Sequence, residues 1–278
     1  MSLDPAIAGY EYAPIRRAYD ERDTILYALG VGATELRHVY ERDLEALPTF
    51  PVVPPFAALM LMEDELGVDL AKVLHGEQRL RLHRPVPARG ELHIRAHVSA
   101  LWDKGPHAII DTTAEVEVDG EHVATAVYST FVRDGGGFGG ERGSGMKAPA
   151  IDRAPDVVIT ERTLAHQAQI YRLSGDRNPL HVDPEFAARA GFERPILHGL
   201  CTYGFAVRMA MDALGGAVSS AGARFTGVVF GGDALTLELW HCAPGRAYGR
   251  VTVAERGAVV IDPLELSTTP TGAVRTGS

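Results

Sequence analysis

The sequence predicts an α+β protein of two similar units, each an antiparallel sheet curved around a long buried helix. Three observations lead there. Strictly alternating strands occur in both halves, a strongly apolar helical stretch precedes the strands in each half, and a Gly-rich run, DGGGFGGERGSGMKA, divides the chain nearly in two. With 278 residues the chain is long enough to bury a full hydrophobic core without metals or disulfides.

In the first half, the stretch from Pro55 to Glu65 is the candidate central helix. Leu92, Ile94, Ala96 and Val98 then alternate along a strand entered at Gly90-Glu91, with Trp102 shortly after it. A hairpin comes next, with Ile110, Ala114, Val116 and Val118 on one face, Asp119-Gly120 as the turn, and Val123, Val127 and Phe131 returning. In the second half, Leu200, Tyr203, Val207, Ala210 and Leu214 fall at helical spacing from about Gly199, and Gly215-Gly216 stops them. Leu235, Leu237 and Leu239 form a strand entered at Gly231-Gly232-Asp233 and followed by Trp240, a weak echo of the first half. Helices apolar on most sides must be buried, and a sheet wrapped around one such helix is the economical arrangement. The division expected is a first unit over 1–133, a linker over 134–148 and a second unit over 149–278. Gly135, Gly137 and Gly140 fit G-x-G-x-x-G, but no strand precedes them in a βαβ unit, so a dinucleotide site is not expected.

A formal net charge of -9 argues against nucleic acid or an anionic membrane as partner, so any bound phosphate must be met by local cations. Cys201 and Cys242 form no paired framework and no metal-binding spacing, which favours a reduced, cytoplasmic setting. No leader-like or membrane-length apolar stretch is read. The preference for Arg over Lys suggests a GC-rich bacterial genome.

Chemistry concentrates between Tyr171 and Gly204. A helix over roughly Leu164 to Leu173 stops at Ser174-Gly175, and the chain turns through Asp176, Asn178 and Pro179 to His181. Asp183-Pro184 then opens a short helix that ends at Gly191. Asp176 and Asn178 are common turn formers, and His181 could be purely structural. Asn178, however, is the only asparagine in the chain. A histidine beside an acid is also suited to proton transfer near neutral pH. Gly199 opens the long helix, where an unpaired amide and the dipole could receive a developing oxyanion.

Ser174-Gly175-Asp176-Arg177-Asn178-Pro179-Leu180-His181 followed by Pro195-Ile196-Leu197-His198-Gly199-Leu200 closely resembles the signature of the MaoC-like type-2 enoyl-CoA hydratases, or (3R)-hydroxyacyl-CoA dehydratases. Leu47-Pro48-Thr49-Phe50, Leu74-His75-Gly76-Glu77 and Pro85 to Gly90 resemble the same family's amino-terminal region. The resemblance implies a double hotdog fold, usually a homodimer, with catalysis in the second unit and a non-catalytic first unit. It implies reversible (3R)-specific hydration of trans-2-enoyl-CoA in fatty-acid or sterol side-chain metabolism, with Asp176 and His181 activating water, Asn178 orienting it and the Gly199 amide binding the thioester oxygen. Coenzyme A enters as part of the substrate, and no separate cofactor or metal is expected. Gly231 stands where many relatives carry proline, a departure with little bearing on the chemistry. Dehydration of carrier-protein thioesters, a thioesterase and a non-enzymatic acyl-CoA-binding subunit are the alternatives.

For substrate binding, the apolar segment from Leu47 to Pro55, with Leu47 and Phe50, is expected to line an acyl tunnel. His198 is expected at the substrate, and Arg224 at a coenzyme A phosphate.

Overall fold

The computed structural model describes residues 2–270. Within them ten strands make one antiparallel sheet: β1 (Ile15–Tyr19), β2 (Val73–Leu82), β3 (Gly90–Asp103), β4 (Ala108–Val118), β5 (Glu121–Val132), β6 (Val157–Arg162), β7 (Gly216–Phe225), β8 (Ala234–Ala243), β9 (Arg246–Val253) and β10 (Ala258–Pro270). Their spatial order is β1-β3-β4-β5-β2-β7-β10-β9-β8-β6. Each half therefore repeats one order, and the halves meet through the equivalent strands β2 and β7. The two sheets expected from the sequence are thus one sheet joined along a seam, from Glu77 opposite Arg224 to Arg81 opposite Ser220. Pairing at this seam satisfies backbone groups that would otherwise form two exposed edges.

The helices are α1 (Glu21–Gly30), α2 (Leu36–Val39), α3 (Phe56–Leu59), α4 (Met62–Leu66), α5 (Gln167–Tyr171), α6 (Pro184–Arg189) and α7 (Gly199–Leu214). Helix α7 keeps the bounds read from the sequence, and Gly215 closes it in the left-handed conformation at φ 67°. Every residue from Leu200 to Ala210 is buried, so α7 is the central helix of the second half. The matching first-half helix is not continuous. Pro55 to Glu65 forms two short pieces, α3 and α4, preceded by a 3-10 turn at Phe50–Val52. Pro51, Pro54 and Pro55 cannot donate to a helical ladder, which confines regular helix to the residues after Pro55.

Strands β3 and β8 run further than expected and include Trp102 and Trp240. Leu92, Ile94, Ala96, Val98, Leu235, Leu237 and Leu239 all point into the core. Strand β5 departs from the expected facing. A bulge between the Val116 and Glu117 pairs leaves Val123 unpaired, so Ala124, Ala126 and Tyr128 face inward while Val127 and Phe131 lie half-buried on the other side. One inserted residue exchanges the two faces of every later position.

The Gly-rich run between the halves contains no helix or strand, yet it is held in place. The Asp103 carboxylate accepts from the amides of Gly105, Gly137 and Gly139 at 2.8, 3.2 and 2.7 Å, which keeps its pKa below the usual carboxylate range. The run is part of the first half's surface as well as a spacer.

Candidate active site

Between α5 and α7 the chain folds back on itself through a series of turns and short helices, and each turn has a local cause. Gly175 takes φ 152°, where a side chain would be strained, and directs the chain from a 3-10 turn into Asp176. Asn178 caps the next 3-10 turn, Pro179–His181, by accepting from the Leu180 amide at 3.0 Å. Asp183 caps α6 in the same way, accepting from the amides of Glu185 and Phe186 at 2.8 and 3.2 Å.

These turns bring Asp176 and His181 together in the interior, with His181 Nε2 4.0 Å from Asp176 Oδ2. His181 Nδ1 lies 2.9 Å from the Ile196 carbonyl, which can only accept, so Nδ1 carries the hydrogen and Nε2 is left bare. Asp176 Oδ1 accepts from the Asn178 amide at 3.1 Å. Burial dominates both groups. It pushes the Asp176 carboxyl up to about 7, against the opposing pull of the Asn178 amide and the Arg172 charge. It pushes the His181 imidazole down to about 4, against the Ile196 contact. Both therefore favour their neutral forms, a protonated acid facing an unprotonated nitrogen.

The pair opens on a cavity of about 670 Å³, which Asn178 and Gly199 also line. Gly199 is the first residue of α7, so its amide has no partner within the helix and sits at the positive end of the dipole. Both halves contribute apolar lining, the first through Phe56, Leu59, Met60, Met62 and Leu70 and the second through Leu180, Phe192, Ile196, Leu197 and Leu200. Four cations, Lys104, Arg133, Lys147 and Arg224, also line the cavity.

Of the residues expected from the sequence, Asp176, Asn178, His181, Gly199 and Arg224 converge on this cavity. Three others do not. Leu47 and Phe50 are buried elsewhere, and Phe50 packs 5.3 Å from Tyr19 and 5.8 Å from Tyr27, ring centre to ring centre. The residues just beyond them line the cavity instead, because the proline-rich turn places Leu47 and Phe50 in the core and α3 and α4 at the cavity. His198 is fully buried behind His181, with ring centres 3.7 Å apart and its Nε2 3.2 Å from the Asp176 carbonyl. It therefore braces the His181 ring and the Asp176 backbone and does not line the cavity.

Asp176, His181 and His198 also offer a metal-like grouping, with ligand atoms within 4.8 Å of one another. The geometry does not suit an ion. The two imidazoles stack at an interplanar angle of 28°, so their in-plane lone pairs run side by side and cannot converge, and two ring nitrogens already meet backbone carbonyls. The sequence reading missed Lys104 and Lys147. Their signal was rarity, since Lys is scarce beside Arg here and these are two of the chain's three lysines.

Comparison with known proteins matches two family models in succession along the chain. The profile of the MFE-2 hydratase 2 N-terminal domain matches residues 18–134, and that of the MaoC like domain matches residues 146–262. The chain is 43% identical over 275 residues to 3-hydroxyacyl-thioester dehydratase Y of Mycobacterium tuberculosis, covering 91% of this chain and 93% of that one. It is 38% identical over 283 residues to enoyl-CoA hydratase ChsH3 of the same organism, covering 96% and 98%. Among solved structures, a MaoC-like dehydratase from Phytophthora capsici superposes with a TM-score of 0.87 at 32% identity, covering 96% of this chain and 99% of that one. A Mycobacterium tuberculosis protein described as a double hotdog fold superposes with a TM-score of 0.64 at 16% identity, over 94% of this chain and 96% of that one, a likeness of fold alone.

Proposed function

This chain belongs to the MaoC-like dehydratases that carry an MFE-2 hydratase 2 amino-terminal domain, and from that membership we propose that it is a hydro-lyase acting on coenzyme A thioesters. It catalyses the reversible addition of water to trans-2-enoyl-CoA, giving (3R)-3-hydroxyacyl-CoA, in fatty-acid or sterol side-chain metabolism. The observation that carries this reading is the buried Asp176 and His181 pair, 4.0 Å apart, on the wall of a cavity lined by apolar side chains and four cations.

Hydration needs a base for the water, a proton for C2 and a place for enolate charge. His181 Nε2 is the bare nitrogen and takes the proton from water as its oxygen bonds to C3. Asp176, held protonated by burial, gives its proton to C2. The carbonyl charge that builds up meets the Gly199 amide, a type of contact worth about 3 kcal/mol in the transition state. The ion pair left behind, imidazolium and carboxylate, returns to the neutral pair by proton transfer through the next water to bridge the gap. Acid and base stand on the same side of the substrate, so hydroxyl and hydrogen arrive on one face. Asn178 spends its Oδ1 on the Leu180 amide, which leaves its NH₂ to orient the water or the thioester. The second half supplies this chemistry, and the first half adds apolar lining for the acyl chain through α3 and α4.

Four cations gathered at one cavity of a chain with net charge -9 favour a ligand that carries phosphate. The test is incubation of the purified protein with crotonyl-CoA and a medium-chain enoyl-CoA, following loss of the conjugated thioester together with release of free thiol. Loss of the double bond without thiol release is the expected result. Thiol release would move the assignment to thioester hydrolysis.

A further inference from the structure

Leu74-His75-Gly76-Glu77 and the end of the Gly-rich run take no part in the reaction above, yet the fold brings them together. Glu77 on β2 lies directly opposite Arg224 on β7, at the seam between the halves. Met146 lies across that seam, where its amide donates to Glu77 Oε1 at 2.7 Å and its carbonyl accepts from Arg224 Nη1 at 3.3 Å. The Glu77 carboxylate is buried, and its second oxygen accepts from Arg79 at 2.6 Å. The approach is so close that a Cβ on Gly145 would stand 2.5 Å from Glu77 Oε1. Just upstream, Lys104 Nζ donates to the carbonyls of Arg142 and Gly143, and a Cβ on Gly143 would collide with the Trp102 ring. Gly145, Met146, Lys147 and Arg224 line the same cavity as Asp176 and His181.

We propose that Glu77 is a positioning residue for the phosphate-bearing arm of the substrate: by holding the Met146 peptide against Arg224, it fixes Lys147 and Arg224 at the cavity mouth. This rests on the thioester reading above. The physical reason is entropic. A glycine-rich segment left free would have to be ordered each time a ligand binds, and that ordering costs conformational entropy. The Glu77 clamp places that cost in folding instead. A carboxylate at a site for phosphate would repel the ligand if it were free, but both its oxygens are already occupied by the Met146 amide and Arg79. The reacting groups sit on other elements, so the clamp acts on binding and leaves the chemical step alone. The ligand chemistry is a phosphopantetheine thioester, carried by coenzyme A or by a carrier protein.

Glu77→Ala and Glu77→Gln decide the matter, each assayed with crotonyl-CoA, crotonyl carrier protein and crotonyl-N-acetylcysteamine, which keeps the thioester and lacks every phosphate. Glu77→Ala is expected to raise KM for a phosphate-bearing thioester ~10-fold with kcat nearly unchanged, and to leave kcat/KM for the N-acetylcysteamine thioester at the wild-type value. Whichever phosphate-bearing thioester shows the rise identifies the source. Glu77→Gln, whose side-chain oxygen can still accept from Met146, should recover most of the loss. Trypsin should cut after Lys147 faster in the Ala variant than in wild type. Equal loss on all thioesters, or no change on any, overturns the clamp. If wild type hydrates none of them, the hydration reading fails by itself. The clamp is then judged by tryptic cutting and by calorimetric affinity for free coenzyme A, and it falls if neither differs between wild type and Glu77→Ala.

Discussion

His181 faces Asp176 through the one ring nitrogen that carries no hydrogen: Nδ1 is tied to the Ile196 carbonyl at 2.9 Å, and Nε2 looks across 4.0 Å to Asp176 Oδ2. A gap of that size is too long for a direct hydrogen bond and leaves room for a reacting oxygen to touch both groups. In the proposed reaction this geometry sets the proton traffic and its pH dependence.

The first consequence is kinetic. Asp176→Asn and His181→Gln should each lower kcat by at least ~100-fold, the ordinary worth of a general acid or base. KM should change little, because neither side chain is the main source of binding. Steady-state rates on crotonyl-CoA test this, and a drop confined to KM would contradict the assignment.

The pH dependence of kcat/KM should be a bell, with limbs near about 4, where His181 gains a proton, and about 7, where Asp176 loses one. Acid-plus-imidazole and carboxylate-plus-imidazolium hold the same number of protons. Hydration and dehydration should therefore share one profile. Rates across about pH 3.5 to 9 measure it, and a flat profile over that range would contradict the assignment of the two limbs.

Stability should respond to pH in opposite senses in the two variants. Asp176 has a folded pKa above its ordinary value, so its contribution is present at low pH and is lost as pH rises towards 7. His181 has a folded pKa below its ordinary value, so its contribution is present above about 6.5 and is lost as pH falls towards 4. In the wild type the two slopes oppose each other between these limits. Relative to wild type, Asp176→Asn should gain stability as pH rises through this window, and His181→Gln should lose it. The slopes should be no more than about 1.4 kcal/mol per pH unit. Thermal melting of the three proteins at several pH values reads them.

Chain-length preference should depend on α3 and α4 and not on the turn before them. Leu59→Trp, which fills the cavity wall, should lower kcat/KM for a decenoyl thioester ~10-fold more than for crotonyl-CoA. Phe50→Ala should cost about 3 to 5 kcal/mol of stability, as emptying a buried aromatic site usually does, without changing the ratio between the two substrates. A changed ratio in Phe50→Ala would return that residue to the acyl tunnel.

What could be read from the sequence was local. Asp183-Pro184, Gly191, Gly199 and Gly215 mark helix ends through caps that depend on neighbours a few residues away, and α6 and α7 fall accordingly. Asp176, Asn178 and His181 are six residues apart or less, so their convergence needed only one turn. The seam of β2 and β7 joins residues nearly 150 positions apart, and nothing in either strand's alternation reveals its partner. The bulge at Val123 was likewise invisible, because it inserts a residue without breaking the hydrophobic count. Leu47, Phe50 and His198 show the limit of composition. An apolar or stacked residue announces burial, but not which side of a wall it occupies.

The most direct measurement is the hydration of crotonyl-CoA in D₂O by wild type and Asp176→Asn, with the product's configuration at C3 and its deuterium at C2 determined. The account requires a 3R alcohol with deuterium and hydroxyl added to the same face, and a variant slowed by at least ~100-fold. An Asp176→Asn protein as fast as wild type, or a product with the two groups on opposite faces, would contradict it.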